Sequence, residues 1–281
     1  MATRRGFTLV ELMVVIAVIA LLAGIVLPAL SEAQRQAKAL VAAANQRQIV
    51  LAATGYSTDS NDRYPESVAT LGRKGKNSGW TQPMQLIGFR NHSPRHYRAM
   101  SGYLGSYIEG ASTLVCPNAP GEFTYLQQAW DAGDSWSSPE SPPAPDSLAG
   151  TLSFYWNYIG YLGEDRAFYG PRRSDQKRGT SKLLVSDYFG FGHERNPGRF
   201  SSCEKLSGAQ EVPEKTLDSS WWASDRFSEF RLNAGYTDGH VESYGSSEVV
   251  PLRVSADSTG SEPYPDGVGT GILYLPYNSL F

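Results

Sequence analysis

An uncharged apolar run from Leu12 to Leu30, begun at Phe7 and interrupted once by Glu11, constrains this chain more than any other feature. A helix needs about 20 such residues to cross the hydrocarbon core of a bilayer. Arg4 and Arg5 stand just before the run. A basic flank stays on the cytoplasmic side, which puts the N-terminus inside and the chain after Leu30 outside. A cleaved secretory signal has a shorter apolar core followed by a small-x-small site. The small residues of LLAGIVLPALSEA arrive only after a run that is already membrane-length. The segment therefore reads as a retained anchor.

Glu11 is what this reading must explain. A carboxylate at the centre of a membrane helix costs about 2.5–3.5 kcal/mol on insertion scales, and less near an end, where it reaches the headgroups. One reading is a tolerated interfacial residue. The other is a residue with a partner. A cut before Phe7 would create an α-amine four residues from Glu11, on the same helix face. An ammonium and a carboxylate meeting in lipid offset each other's burial cost.

The stretch RRGFTLVELMVVIAVIALLAGIVLP closely resembles the N-terminus of type IV prepilins and of the pseudopilins of type II secretion systems. The resemblance covers the first thirty or so residues. It implies that a membrane-bound prepilin peptidase cuts between Gly6 and Phe7 and methylates the new Phe7 amine. It implies that Glu11 guides assembly by pairing with the amine of a neighbouring subunit. Pro28 falls where the family often has a helix-bending proline. The implied partners are the prepilin peptidase, other pilin or pseudopilin subunits, an inner-membrane assembly platform and inner-membrane lipid.

Composition agrees with an anchored extracytoplasmic protein. The net charge of −3 becomes −5 when Arg4 and Arg5 leave with the leader. No basic run stands out, so the head is not expected to bind nucleic acid. Cys116 and Cys203 are the two cysteines. An oxidising compartment permits one bridge between them, worth about 4 kcal/mol in the chain-entropy model. Two buried thiols satisfy the sequence equally.

Beyond Pro28 the helical pattern continues through SEAQRQAKALVAAANQRQIVLAATGY, rich in good helix formers. Ala37, Leu40, Val41, Ala44, Gln48 and Leu51 recur at three- and four-residue steps and predict the packed stripe. Gly55 predicts the C-cap. The expected organisation is a leader at 1–6, a membrane-spanning assembly helix at 7–30, its continuation into the head at 31–55, and a head at 56–281 with an exposed loop at 127–150. The fold class is α+β: a long N-terminal helix packed on an antiparallel sheet, as in pilins.

Within the head, GYSTDSNDRYPES lacks EF-hand spacing and reads as a solvated loop. Ser93-Pro94 predicts the start of a helix running to about Tyr107, which leaves His92 outside it and unpaired with His96. TLVCPNAPG reads as a short strand ended by a Pro turn, TLSFYWNYIGYL as a strand, and SKLLVSDYFGFG as a buried strand ending at Asp187. SEFRLNAGYTDGHVESYG reads as a hairpin with Asp238-Gly239 as a two-residue turn. That register puts Tyr236 opposite Val241 and Thr237 opposite His240. Tyr236, Val241 and Ala234 then face the core, with His240 on the other side.

These pieces resemble a bacterial subfamily of pilin-like proteins with a final Asp-Gly-His-Val motif. The matching residues are Asn45 and Gln48, Tyr56, Tyr64-Pro65, Cys116-Pro117, Tyr155 with Asn157 and Tyr158, Asp187, Asn233, and Asp238-Gly239-His240-Val241. Ser228 stands where the subfamily has a His. The head motif residues Asp187, Asn233, Asp238, Gly239 and His240 are read as structural.

No Gly-x-Ser-x-Gly elbow precedes a helix, and DGVGTG leads into ILYLPY, more strand than helix. The six tryptophans are assigned to packing. A calcium ion between Asp187 and Asp238 is a secondary option, since some pseudopilins bind calcium. No catalytic residue, cofactor or metal ligand is assigned. The expected function is a structural subunit of a type IV pilus or secretion pseudopilus. A minor or tip subunit that binds a ligand, and a membrane-tethered hydrolase or binding protein using the same anchor, are the alternatives.

Overall fold

The computed structural model describes residues 8–69, 83, 85–87, 98–117, 126–137, 148–149, 151–161, 167–176, 180–187, 190–191, 231–253 and 272–280. One helix, α1 (Leu9–Asp59), runs for 51 residues, about 76 Å at 1.5 Å per residue. It contains one stretch long and apolar enough to cross a membrane, and none of that stretch is buried within the chain. Pro28 is accommodated inside the continuous helix.

α1 passes through Gly55, the expected C-cap, and ends one turn later. Ser60 is the cap, and Asn61 and Asp62 both take positive φ, 56° and 62°. Short polar side chains tolerate that left-handed region, and Asp62 N–H closes back on the Ser57 carbonyl at 2.8 Å. Gly55 serves packing instead. A Cβ there would lie 3.1 Å from the ring of Tyr107.

The second half of α1 packs on a four-stranded antiparallel sheet in the order β3 (Leu152–Phe154), β6 (Leu183–Asp187), β8 (Arg231–Tyr236), β9 (Val241–Gly245). A second antiparallel sheet has the order β5 (Ala167–Tyr169), β4 (Ile159–Tyr161), β10 (Val249–Arg253), β11 (Ile272–Pro276), β7 (Gly190–Phe191). A small pair joins β1 (Gln85–Ile87) to β2 (Leu148–Ala149). Two short helices, α2 (Met100–Leu104) and α3 (Leu126–Ala132), close the core beside α1.

The buried face of α1 is not the predicted stripe. It carries Ala42, Gln46, Ile49, Val50, Ala52, Ala53 and Ser57. Leu40 is 73% exposed, Val41 49% and Leu51 59%. Gln48 is exposed as well. Ile49 and Val50 fill the contact with the sheet, and Ala42, Ala52 and Ala53 let the helix lie close to its neighbours. The approach is closest at Gly235, where a Cβ would stand 2.7 Å from Val50 Cγ2 and 3.0 Å from Val185 Cγ1.

Several local expectations are corrected. No strand forms at TLVC: Thr113 and Leu114 end a 3-10 turn over Ala111–Leu114, in which Ala111 and Leu114, three apart, are both buried, and Val115 follows in extended conformation. The loop at 127–150 begins as helix. Leu126, Ala129 and Trp130 recur at helical spacing and pack inward, and a 3-10 turn (Gly133–Ser137) follows. TLSFYWNYIGYL is two strands, β3 and β4, broken at Asn157, whose φ is +53°. The described part of the helix expected to start at Pro94 is α2. The N–H of its N-cap residue, Ala99, donates to Asp134 Oδ1 at 2.9 Å. Ser93, Pro94, His92 and His96 lie outside the described residues.

Gly235→Val should force α1 from the sheet. Overpacking of this kind costs about 1–3 kcal/mol, and thermal unfolding of the detergent-solubilised chain should move down by about 2–4 °C per kcal/mol. An unchanged midpoint would show that the contact is loose.

Candidate functional site

At the start of α1, Thr8 and Glu11 close a capping box. Glu11 N–H donates to Thr8 Oγ1 at 3.2 Å. Glu11 Oε2 accepts from the Thr8 backbone N–H at 2.8 Å and from the Thr8 hydroxyl at 2.7 Å. The first N–H groups of a helix have no partner within it, and its N-terminus favours negative charge. Glu11 therefore has a local partner within a single chain. That refines the choice posed by the sequence between a tolerated and a paired carboxylate. Gly6 and Phe7 lie outside the described residues. At the far end of the apolar span, the Arg35 guanidinium, aided by Gln36, holds the exposed Glu32 carboxyl down to about 2.

The head motif residues gather at three places. The first is a buried pin between α1 and the sheet. Gln46 Nε2 donates to Asp187 Oδ1 at 2.8 Å, and Asn233 N–H donates to Asp187 Oδ2 at 2.8 Å. The Ser243 hydroxyl donates to Asn233 Oδ1. Gln46, Asp187 and Asn233 are all buried. The second is the strand break at Asn157, whose side-chain amide donates to the carbonyls of Tyr64 at 3.2 Å and Pro65 at 2.7 Å. Nearby on α1, Asn45 donates to the Val115 carbonyl at 3.3 Å, next to buried Cys116.

The third is the β8–β9 hairpin, and its turn differs from expectation. Gly235 pairs with Val241, and Tyr236 N–H donates to the His240 carbonyl at 3.0 Å. The loop is thus three residues, Thr237 to Gly239. Gly239 N–H returns to the Tyr236 carbonyl at 3.0 Å, and only Gly239 takes positive φ, +91°. This is the type I turn with a bulge glycine, which removes the need for positive φ at Asp238. The one-residue shift moves His240 to the face of Tyr236, and Val241 to the face of Gly235 that meets α1. Asp187 and Asp238 do not meet. Asp187 ends β6 beside Asn233, whereas Asp238 lies beyond Tyr236, which pairs with Leu183 at the other end. Among the described residues, no three His, Cys, Asp or Glu side chains converge as metal ligands.

Residues 1–27 match the family model described as the prokaryotic N-terminal methylation motif. The chain carries a prepilin-type N-terminus. No curated protein and no solved structure matches the chain significantly. The prepilin-type match covers Glu11 and ends just before Pro28, while the head stands on its own geometry.

Two site residues escaped the sequence reading. Thr8 was legible, since Thr-x-x-Glu before an apolar run is the capping-box signature. Gln46 was not. Gln48 competes for the same role, and only the rotation of α1 on the sheet selects between them. Asp187→Ala should leave the Asn233 N–H and the Gln46 amide buried without an acceptor, costing about 1–3 kcal/mol for each group. Asp238→Ala, in an exposed turn, should cost under about 1 kcal/mol. Equal losses in chemical denaturation would contradict the assignment of Asp187 as the pin.

Proposed function

We propose that this chain is a subunit of a filament of the type IV pilus or type II secretion pseudopilus class. Prepilin peptidase cuts it between Gly6 and Phe7 and methylates the amine. It waits in the inner membrane with its head on the extracytoplasmic side, and an assembly platform adds it to other subunits. Its role is assembly and not catalysis.

The observation that carries this reading is a methylation-motif N-terminus on a single helix of two halves. The first half is bare and apolar. The second docks on the head through small residues and still leaves Leu40, Val41 and Leu51 outside. A head that needed only an anchor would gain nothing from apolar side chains on the free face of α1. A bundle of such helices would cover them. Cys116 is disulfide-bonded, which fits an oxidising compartment beyond the membrane. Cys203 is the only other cysteine in the chain and is the expected partner. Non-reducing peptide mapping should recover one Cys116–Cys203 peptide pair, and free-thiol labelling of both residues would contradict it.

Glu11 has two separable roles in this reading. It caps α1 in the single chain, and its charge pairs with a neighbour's amine in the filament. Glu11→Gln retains the capping acceptor and removes the charge, whereas Glu11→Val removes both. Both variants should insert and be cleaved normally. Both should lose filament incorporation by more than about tenfold, since breaking a buried ion pair costs about 3–5 kcal/mol. Cross-linking and shear fractionation of cells would measure this. Assembly of Glu11→Gln at the wild-type level would show that Glu11 supplies only the cap.

A further inference from the structure

On the face of β9 turned away from α1, His240 and Glu242 stand two residues apart, with Asp238 in the adjoining turn. His240 is fixed from two sides. Its ring lies parallel on Tyr236, with centroids 4.5 Å apart and planes 12° apart. Its Nδ1 is hydrogen-bonded to Asp238 Oδ1 at 2.5 Å. A carboxylate can only accept, so the neutral imidazole carries its proton on Nδ1 and presents a lone pair at Nε2. Burial works against the Asp238 carboxylate, but hydrogen bonds from the His240 side chain and backbone outweigh it and lower its pKa.

Nε2 points towards Glu242, whose Oε2 is 4.0 Å away. Glu242 is itself held, since Oε2 accepts from the Tyr244 hydroxyl at 2.6 Å. Tyr244 in turn accepts from Tyr236 and Asn278, both at 2.8 Å. Each of the two outward-facing groups thus has its own supporting partner.

We propose that His240 Nε2 and the Glu242 carboxylate bind a divalent transition-metal ion of the zinc type, with water in the remaining positions. Two donors at 2.0–2.2 Å from a tetrahedral ion stand about 3.4 Å apart. A movement of roughly half an ångström by the exposed tip of Glu242 brings the pair to that distance. Imidazole with one carboxylate suits zinc, copper or nickel, whereas calcium takes six or more oxygens. Asp238 is placed as the outer carboxylate that orients a ligating histidine, and Tyr244 supports the ligating carboxylate. The hairpin itself does not require this set. Gly239 forms the turn, and buried Tyr236 and Tyr244 pack it.

Equilibrium dialysis of the full chain in detergent against Zn²⁺ tests this directly. The wild-type chain should hold one ion more than His240→Ala. Glu242→Gln should bind that ion at least about tenfold more weakly, and Asp238→Asn about 10–100-fold more weakly through loss of orientation. Far-UV circular dichroism should show each variant folded, since all three side chains are about half exposed. The proposal fails if wild type binds no zinc. It also fails if folded His240→Ala and Glu242→Gln bind the same number of ions with wild-type affinity, which would place the zinc on other residues.

Discussion

The second half of α1 is held to the four-stranded sheet by a packed apolar contact with a polar pin through it. Ile49 and Val50 are fully buried, each contributing about 1.5–3 kcal/mol by leaving water. Gly235 lets Val50 approach, and Gln46 reaches Asp187 across the interface. Apolar burial supplies most of the attraction but little register, because a helix can rotate or slide on a smooth surface. The Gln46–Asp187 hydrogen bond fixes both, since a buried carboxylate left without its donors costs far more than the bond itself is worth. The position of the head relative to the membrane-length half of the helix follows from that contact.

The same helix carries an opposite demand at its start. Glu11 lies where a helix wants a negative group and where a membrane does not. The Thr8–Glu11 capping box eases this conflict by giving the carboxylate two donors within its own chain. A carboxylate so held is tolerable in the membrane interface, yet it remains a charge that a cation can satisfy better. In the proposed filament the neighbouring amine is that cation. The cap and the ion pair then act at different stages on one residue.

Much of the plan was legible because it rests on local rules. The membrane-length run, the helix beyond it, the strand ending at Asp187 and the hairpin near Asp238 all follow from periodicity and turn chemistry. What the sequence hid depends on how elements meet. Leu40, Val41 and Leu51 recur with Ala37 and Ala44 at three- and four-residue steps, so periodicity allows their face as readily as that of Ile49 and Val50. The sheet instead took the face with Ala42, Gln46, Ile49, Val50 and Ala53. In the hairpin, Asp-Gly fits a two-residue turn as well as the last two places of a three-residue one. The choice moved His240 from one face of the sheet to the other. Helix α3 was obscured by the Ser, Pro and Asp residues that follow it, although Leu126, Ala129 and Trp130 carry its period. Among the motif residues, Asp187 and Asn233 do meet, and Asn157 meets Tyr64 and Pro65. These contacts could not be read from spacing alone.

The central claim is that this chain is made as a prepilin and matures at Gly6–Phe7. Mass spectrometry of the N-terminal peptide from membrane-extracted protein measures it most directly. The peptide should begin at Phe7 and carry one methyl group on its α-amine. A terminus at Met1 or Ala2, or a cut near Ala33, would contradict it.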